Sequence, residues 1–358
     1  MKTYEVAVLP GDGIGKEVVP AALQVLDAAA RMHGGLKFSY REFPWGCEYY
    51  MAHGEMMPQN ALETLSAFPL IFLGAVGYPT VPDHVSLWGM LIPIRRGFQE
   101  YVNLRPVQTL RGVTSPLTSA AMRPINFVVV RENSEGEYSN MGGRIHEGTP
   151  YETAVQVSYF SRMAVERVLR YAFILAQNSP RHRLTIATKS NGIIHTMPFW
   201  DEIVKEIRVQ FPEIETRLVH VDALSAFFVM HPQEFDVVVG SNLFGDILTD
   251  LGAAIMGSIG LAPAANLNPE MKFPSMFEPV HGSAPDIAGR GIANPIGQIW
   301  TAKMMLDFIG EQELGQRVLA AIEQTLEEGV KTPDLGGMAS TEQVAEAVIH
   351  HLHHSPGA

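Results

Sequence analysis

The sequence predicts an α/β protein, a largely parallel β-sheet covered by helices. Three observations lead to this class. Short apolar runs recur along the chain, and stretches with apolar residues at helical spacing separate them. At 358 residues, 46% hydrophobic and 18% charged, the chain is long enough for two domains and a sizeable core. Residues 6–9 read as the first buried strand, broken by Pro10-Gly11-Asp12-Gly13, and residues 16–32 as the helix that follows. Residues 70–73 form the next strand. The theme repeats at 127–130, 184–187, 216–221 and 236–239, with helices such as 160–177 and 199–211 in between. Residues 151–160 (YETAVQVSYF) break the pattern, because polar and apolar residues alternate there after the turn Met141-Gly142-Gly143. Such a segment reads as an exposed β-arm offering its edge to a partner. The closing His350-His351-Leu352-His353-His354 reads as a frayed terminus rather than as a metal site.

Charge and cysteine content exclude several classes. A net charge of −12 and a pI near 5.5 leave no basic stripe for nucleic acid or an anionic membrane. The single cysteine, Cys47, allows neither an internal disulfide nor a thiolate metal cluster, and beside Trp45 it reads as a small buried hydrophobe. The N-terminal apolar run is too short for a signal peptide or a spanning helix, so a cytoplasmic protein is expected.

The densest chemistry lies in Gly240-Ser241-Asn242-Leu243-Phe244-Gly245-Asp246-Ile247-Leu248-Thr249-Asp250. A helix starting near Phe244, just after a buried strand, puts Asp246 and Asp250 on one face a turn apart. Two hard oxygen donors at the C-terminal mouth of a strand suit Mg²⁺ or Mn²⁺, whose other positions go to substrate and water. The helix macrodipole favours acids in a first turn and accounts for Asp246 alone. Asp250 sits among apolar neighbours, where an acid needs a partner. Gly11-Asp12-Gly13-Ile14-Gly15 lies between a strand and a helix as a dinucleotide fingerprint does, yet Lys16 takes the place of the third glycine and Asp12 would repel a pyrophosphate. The loop reads instead as a tight turn at the rim of the site. Arg95, Arg105 and Arg131 fall in three separate segments, and three converging guanidiniums hold a dicarboxylate by bidentate pairs. Arg96 reads as a surface ion pair. Tyr138 and Lys189 complete the proton carriers, Lys189 as a base at a strand end where desolvation makes an amine less basic. Asp222, ending the strand over 216–221, offers a third carboxylate.

Leu9-Pro10-Gly11-Asp12-Gly13-Ile14-Gly15, Asn103-Leu104-Arg105-Pro106, Arg131-Glu132-Asn133-Ser134-Glu135-Gly136, residues 240–250 and Phe277-Glu278-Pro279-Val280-His281-Gly282-Ser283-Ala284-Pro285-Asp286-Ile287-Ala288-Gly289 are similar to the β-decarboxylating dehydrogenases, in the same order from about residue 4 to residue 350. That family includes isopropylmalate, isocitrate, homoisocitrate and tartrate/D-malate dehydrogenases. The resemblance implies an isopropylmalate dehydrogenase-like fold rather than a classical Rossmann fold, with a large mixed sheet and helices on both of its faces. It also implies a larger domain from residues 1–102 and 257–358, and a smaller one, 103–256, whose arm near 139–160 clasps a homodimer.

The same resemblance implies roles. Arg95, Arg105 and Arg131 would bind the carboxylates of a 2-hydroxy acid, and Asp246 and Asp250 would hold Mn²⁺ or Mg²⁺ with Asp222 of the partner subunit. Lys189 of the partner subunit would take the hydroxyl proton as hydride leaves for the nicotinamide, and Tyr138 would protonate the product carbon once CO₂ has departed. The string from Glu278 to Asp286 resembles an adenosine loop, with His281 stacking on adenine, Asn294 hydrogen-bonding it and Asp286 accepting from the ribose hydroxyls. Gly282, Ser283, Ala284 and Ile287 would line the cofactor with Glu278. A carboxylate at 286 repels a 2′-phosphate and favours NAD over NADP. A monovalent cation such as K⁺ stays open as a further requirement.

Substrate choice is read from the segment before Arg95. Isocitrate enzymes resemble one another in carrying Ser and Asn six and four residues before that arginine, where this chain has Gly89 and Leu91. Isocitrate is therefore disfavoured. Leu91 and Ile92 suit the isopropyl group of 3-isopropylmalate. Against that, Pro44-Trp45-Gly46-Cys47-Glu48-Tyr49-Tyr50 and Asp83-His84-Val85-Ser86-Leu87-Trp88-Gly89 resemble the tartrate/D-malate branch, where Trp88 would shorten the pocket; Pro93 and Ile94 depart from it. D-malate or a tartrate is the expected substrate and 3-isopropylmalate the alternative. A non-catalytic regulatory subunit would have lost metal or proton-transfer residues that this chain keeps. A metal-dependent hydrolase would have no need of the adenosine loop.

Overall fold

The computed structural model of the protein describes residues 1–117 and 124–354. Its strands are β1 (Lys2–Gly11), β2 (Leu36–Glu42), β3 (Leu70–Ala75), β4 (Val102–Gln108), β5 (Asn126–Glu132), β6 (Gly142–Ile145), β7 (Thr153–Gln156), β8 (Arg183–Thr188), β9 (Glu215–His220), β10 (Val237–Gly240), β11 (Pro263–Leu267) and β12 (Ser275–Pro279). Ten of them form one sheet in the order β2-β1-β3-β12-β11-β4-β5-β10-β8-β9. The flanks are parallel: β1 pairs with β2 and β3, β3 with β12, and β5, β10, β8 and β9 follow one another. The centre, from β12 through β11 and β4 to β5, is antiparallel. The sheet is thus mixed and less parallel than the apolar runs alone suggest. Those runs miss the centre because β4 (VNLRPVQ), β11 (PAANL) and β12 (SMFEP) carry the polar and proline residues from which the site is built.

Both faces of the sheet are buried. In β1, Val6 and Val8 pack into one core cluster while Ala7 and Leu9 pack into another, and β3 divides Leu70 and Phe72 from Ile71 and Leu73 in the same way. The larger cluster runs on from Phe72 to Val129, Val239 and Leu248, so one core continues through the strands from both parts of the sheet order. Cys47 lies in the smaller cluster with Trp45, as its neighbourhood in sequence predicts.

Two further features of the sequence pattern take definite form. β6 and β7 pair as an antiparallel ribbon, Gly142 opposite Gln156 and Ile145 opposite Thr153, exposed along its whole length. Ile145, Tyr151, Val155 and Val157 expose apolar surface there. The histidine-rich end is no frayed terminus but part of the helix Thr341–His354. Val344, Val348, His351 and Leu352 make its buried stripe, and His351 Nε2 lies 3.1 Å from Glu328. Among the described residues no helix is long and apolar enough to cross a membrane.

Candidate active site

The central antiparallel pair brings two arginines to one face. Arg131 lies opposite Asn103 in the β4–β5 register and Arg105 follows two residues along β4, so the three side chains share a face. The helix Asn242–Met256 closes over it. Ser241 caps that helix, accepting from Phe244 N, while Glu137 takes the Leu243 N–H and the Ser241 hydroxyl. The helix therefore starts at Asn242, earlier than its sequence suggests, and Asp246 sits in the second turn. Gly245 permits the close approach, since a Cβ there would lie 2.5 Å from Arg131 Cβ.

The result is a dense charge network. Arg131 Nη1 donates to Asp246 Oδ1, and its Nε and Nη2 hold Asn242 Oδ1 at 3.0 and 2.7 Å. Arg105 donates to Asp246 at 3.3 Å, to Thr249 at 2.7 Å and to Asn103 at 2.7 Å. Arg95, on the short helix Ile92–Gly97, pairs with Glu278 of β12 at 2.7 Å. All three arginines are buried, and with Tyr138, Asn133 and Asn242 they line a cavity of about 130 Å³.

The electrostatics follow from that crowding. Burial and the charge of Arg105 lower Arg131 to about 10, and burial lowers Arg105 as well. Burial resists ionisation of Asp246, yet Arg131 and Arg105 outweigh it and hold the carboxyl below its usual range. Tyr138 donates to Asp246 Oδ2 at 2.8 Å. Burial and that carboxylate push it up to about 12, so the phenol keeps its proton at neutral pH.

The wall facing the arginines differs from expectation. Neither Trp88 nor Leu91 lines the cavity; Leu87 and Ile92 do. Residues Leu87–Leu91 form a π-helical turn in which Ile92 N bonds to Leu87 O, five residues back. The extra residue rotates the face, so Ile92 rather than Leu91 follows Leu87 toward the arginines. Leu91 packs instead into the smaller core cluster, and Trp88 lies beneath Arg96, 5.3 Å from its guanidinium. Arg96 is not the surface ion pair that its sequence suggests. It donates to the carbonyls of Ser134 and Tyr138 at 3.1 and 2.6 Å and ties the turn to the Tyr138 segment.

Asp250 follows Asp246 by one turn but is exposed by area, and its side chain has no hydrogen bond or ion pair among the described residues, so the sequence reading of a buried acid is corrected. Partial burial and the Asp246 charge raise its pKa. Lys189, just beyond β8, pairs with Asp222 at 2.8 Å, and neither lines the arginine cavity. Asp222 does not end a strand, because β9 stops at His220 and Asp222 lies in the first turn of the helix Val221–Met230. Among the described residues no three of His, Cys, Asp and Glu gather into a metal-holding group. The mutually repelling pair Asp246 and Asp250 nevertheless fits Mg²⁺ or Mn²⁺, which bind through one or two carboxylates and keep positions for water and substrate.

The loop after β12 rests on the turn between β1 and the helix Gly15–His33. Ile14 N donates to Ser283 O at 2.9 Å, and a Cβ on Gly13 would fall 2.0 Å from the same oxygen. Glu17 accepts from Gly289 N and Gly291 N at 2.6 and 2.8 Å, and Ile14 packs against Ala284 and Ile287. Asp12 is buried rather than at a rim, where Cys47 N, Glu48 N and Gly77 N donate to its carboxylate. An open cavity of about 420 Å³ lies beside the loop between Gly13, Lys16, Gly77, Tyr78, Pro285 and Gly289. Gly282 and Asp286 are exposed; Asp286 has no partner among the described residues and lies in a turn with no helix to cap. His281 is buried with Nε2 unpaired, and burial lowers its pKa. Pro285, Ala288 and Gly289 border that groove and the exposed carboxylate of Asp286 adjoins Pro285 in the chain, which fits a hydroxyl-bearing cofactor, whereas His281 Nε2 is buried and does not line the groove. Asn294 is already engaged by Asp334 and Ile296 N at 3.0 Å each. Glu278 points away from this loop, onto Arg95 and Asn266. Sequence reasoning missed that contact, along with Asn133, Asn242, Leu87 and Arg96; Asn133, Asn242 and Leu87 carried a signal, lying inside quoted motifs.

This fold and its arginine cavity define a dehydrogenase of one family. The isocitrate/isopropylmalate dehydrogenase family matches residues 5–348, and the chain belongs to it, as an oxidoreductase acting on a CH–OH group. A protein of Bacillus subtilis (strain 168) named probable tartrate dehydrogenase/decarboxylase is 57% identical over 353 residues, covering 98% of this chain and 99% of its own. The D-malate dehydrogenase [decarboxylating] of Escherichia coli (strain K12) is 56% identical over 355 residues, covering 97% and 98%. The crystal structure of isocitrate dehydrogenase from Methylococcus capsulatus superposes with a TM-score of 0.86 at 34% identity, covering 98% of this chain and 99% of that one.

Proposed function

We propose that the protein oxidises and decarboxylates a small 2-hydroxy dicarboxylate, converting D-malate and NAD⁺ to pyruvate, CO₂ and NADH, or acting likewise on a tartrate. The convergence of Arg95, Arg105 and Arg131 on one small cavity carries this reading. Three guanidiniums match two carboxylates, and about 130 Å³ lies well under the roughly 300–1,000 Å³ usual for drug-sized ligands. The names of the relatives at 57% and 56% identity support the same substrates.

Asp246 and Asp250 would hold a divalent cation, which would supply Lewis acidity at the substrate hydroxyl, and a bound nicotinamide would supply the hydride acceptor. The arginines fix the carboxylates before chemistry begins. Tyr138 keeps its proton at Oη, and once a substrate displaces its bond to Asp246 that proton can pass to the product carbon. Among the described residues that line the cavity there is no lysine or histidine to take the hydroxyl proton; Asp246 is committed to Arg131, Arg105 and Tyr138, and Lys189 lies outside. We therefore read the protein as a homodimer, clasped by the β6–β7 ribbon, in which Lys189 of the partner subunit takes that proton and Asp222 of the partner subunit completes the metal site. The exposed carboxylate of Asp286, without a partner among the described residues and next in the chain to Pro285 of the groove wall, supports NAD over NADP.

The test is NADH absorbance with Mn²⁺ and a panel of 2-hydroxy acids. D-malate or a tartrate should give the highest kcat/KM. Fastest turnover of 3-isopropylmalate would instead make Leu87 and Ile92 an isopropyl pocket and overturn the substrate assignment.

A further inference from the structure

Behind the cavity lies a carboxyl that the proposed chemistry does not use. Glu100 is completely buried, and neither of its side-chain oxygens has a hydrogen-bond partner. It sits at the end of the turn that presents Arg95, with Glu100 N donating to Arg95 O at 2.8 Å. Its own carbonyl accepts from Asn133 Nδ2 at 3.0 Å, and Asn133 lines the cavity. On the Arg95 side the picture is complementary: Nη2 is committed to Glu278, while the buried Nε has no acceptor. Two charged groups face Glu100, Arg95 from its own turn and Glu278 from β12.

We propose that Glu100 is a positioning residue for Arg95, a carboxyl that stays neutral while substrate binds and whose ionisation withdraws the guanidinium from the substrate. An ionised carboxylate with no hydrogen bonds in a dry interior is costly, and keeping the proton avoids that cost. Burial raises the pKa of Glu100 well above the carboxylate range against the pull of Arg95, and the charge of Glu278 adds to the rise. With Glu100 neutral, Arg95 is balanced by Glu278 alone and keeps attraction to spare for a substrate carboxylate. With Glu100 ionised, an incoming dianion meets two fixed anions around the same guanidinium. Substrate affinity therefore falls as pH rises through the ionisation of Glu100, by up to about tenfold per pH unit.

This inference rests on the reading of the cavity as a dicarboxylate site. Its test is the KM for D-malate, with NAD and Mg²⁺ saturating, from about pH 6 to about pH 9, in the native protein and in Glu100→Gln. The native KM should climb toward alkaline pH while that of the variant stays flat. Parallel profiles, or a flat native profile, would overturn the proposal, whereas a purely structural effect would shift KM equally at every pH. If Glu100→Gln does not fold, calorimetry of D-malate binding to the native protein decides, with Mg²⁺ and no cofactor, in two buffers of different ionisation enthalpy. Proton uptake that grows with pH supports the proposal, and binding without uptake overturns it. Turnover with unshifted profiles removes only the role of Glu100, while no binding of D-malate removes the substrate reading with it.

Discussion

Asp246 is the residue on which most of the site depends. Its spacing from Asp250 made it legible as a metal ligand, but the sequence could not reveal that Arg105, Arg131 and Tyr138 would meet on it, because those partners come from β4, β5 and a loop remote in the chain. Asp246→Asn should abolish turnover with Mn²⁺, since one anionic ligand is lost. It should also lower stability by about 1–3 kcal/mol, because two buried guanidiniums lose their shared counter-charge while the amide keeps part of the hydrogen bonding. The pH dependence carries a sign. Asp246 is held below its unfolded range, so its stabilisation is complete above roughly pH 4 and disappears as pH falls through the folded pKa. Thermal melts toward acid should therefore fall more steeply for the native protein than for the variant. Equal slopes, or retained activity at the same Mn²⁺ concentration, would remove Asp246 from this role.

At the scale of the element, the decisive piece is the π-helical turn Leu87–Leu91. The sequence reading places Trp88, Leu91 and Ile92 at the pocket; Ile92 does line it, and the additional residue in the turn puts Leu87 there in place of Leu91 and Trp88. Ile92→Ala should raise kcat/KM for 3-isopropylmalate relative to D-malate by opening the wall beside Leu87. Leu91→Ala should leave that ratio in place and cost about 1–3 kcal/mol of stability through the smaller core cluster. A selectivity change in the second variant and none in the first would mean that the turn is wound as an ordinary helix. Strands β1, β3, β8 and β10 were legible because their largely buried residues read as apolar runs, whereas the edge strand β2, with its exposed polar residues, was not. The central strands were not, because Asn103, Arg105, Pro106, Asn266 and Glu278 interrupt any such run. Arginines and loop motifs therefore disclosed the site before the periodicity disclosed the strands that carry it.

At the scale of the whole molecule, one chain brings Arg95, Arg105, Arg131 and Tyr138 to the cavity, while Lys189 and Asp222 pair with each other outside it. The homodimer reading predicts that mixing inactive Lys189→Ala and inactive Asp246→Asn proteins restores part of the activity, since a hybrid dimer contains one site free of both substitutions. Once mass spectrometry has shown that subunits exchange, failure to recover any activity would mean that each site is built from a single chain. The same arrangement explains what the sequence could disclose at this level. The alternation in residues 151–160 reads as an exposed β-arm, and the structure has an exposed ribbon over residues 142–156 whose strands β6 and β7 pair only with each other among the described residues.

We propose that oxidation and decarboxylation are coupled and metal-dependent on a dicarboxylate held by Arg95, Arg105 and Arg131. The most direct measurement is the stoichiometry of NADH, CO₂ and pyruvate formed from D-malate with Mn²⁺, and again after chelation of the metal. The structure predicts equal amounts of all three products with metal and none without it. NADH formed without CO₂, or turnover that survives chelation, would contradict the account.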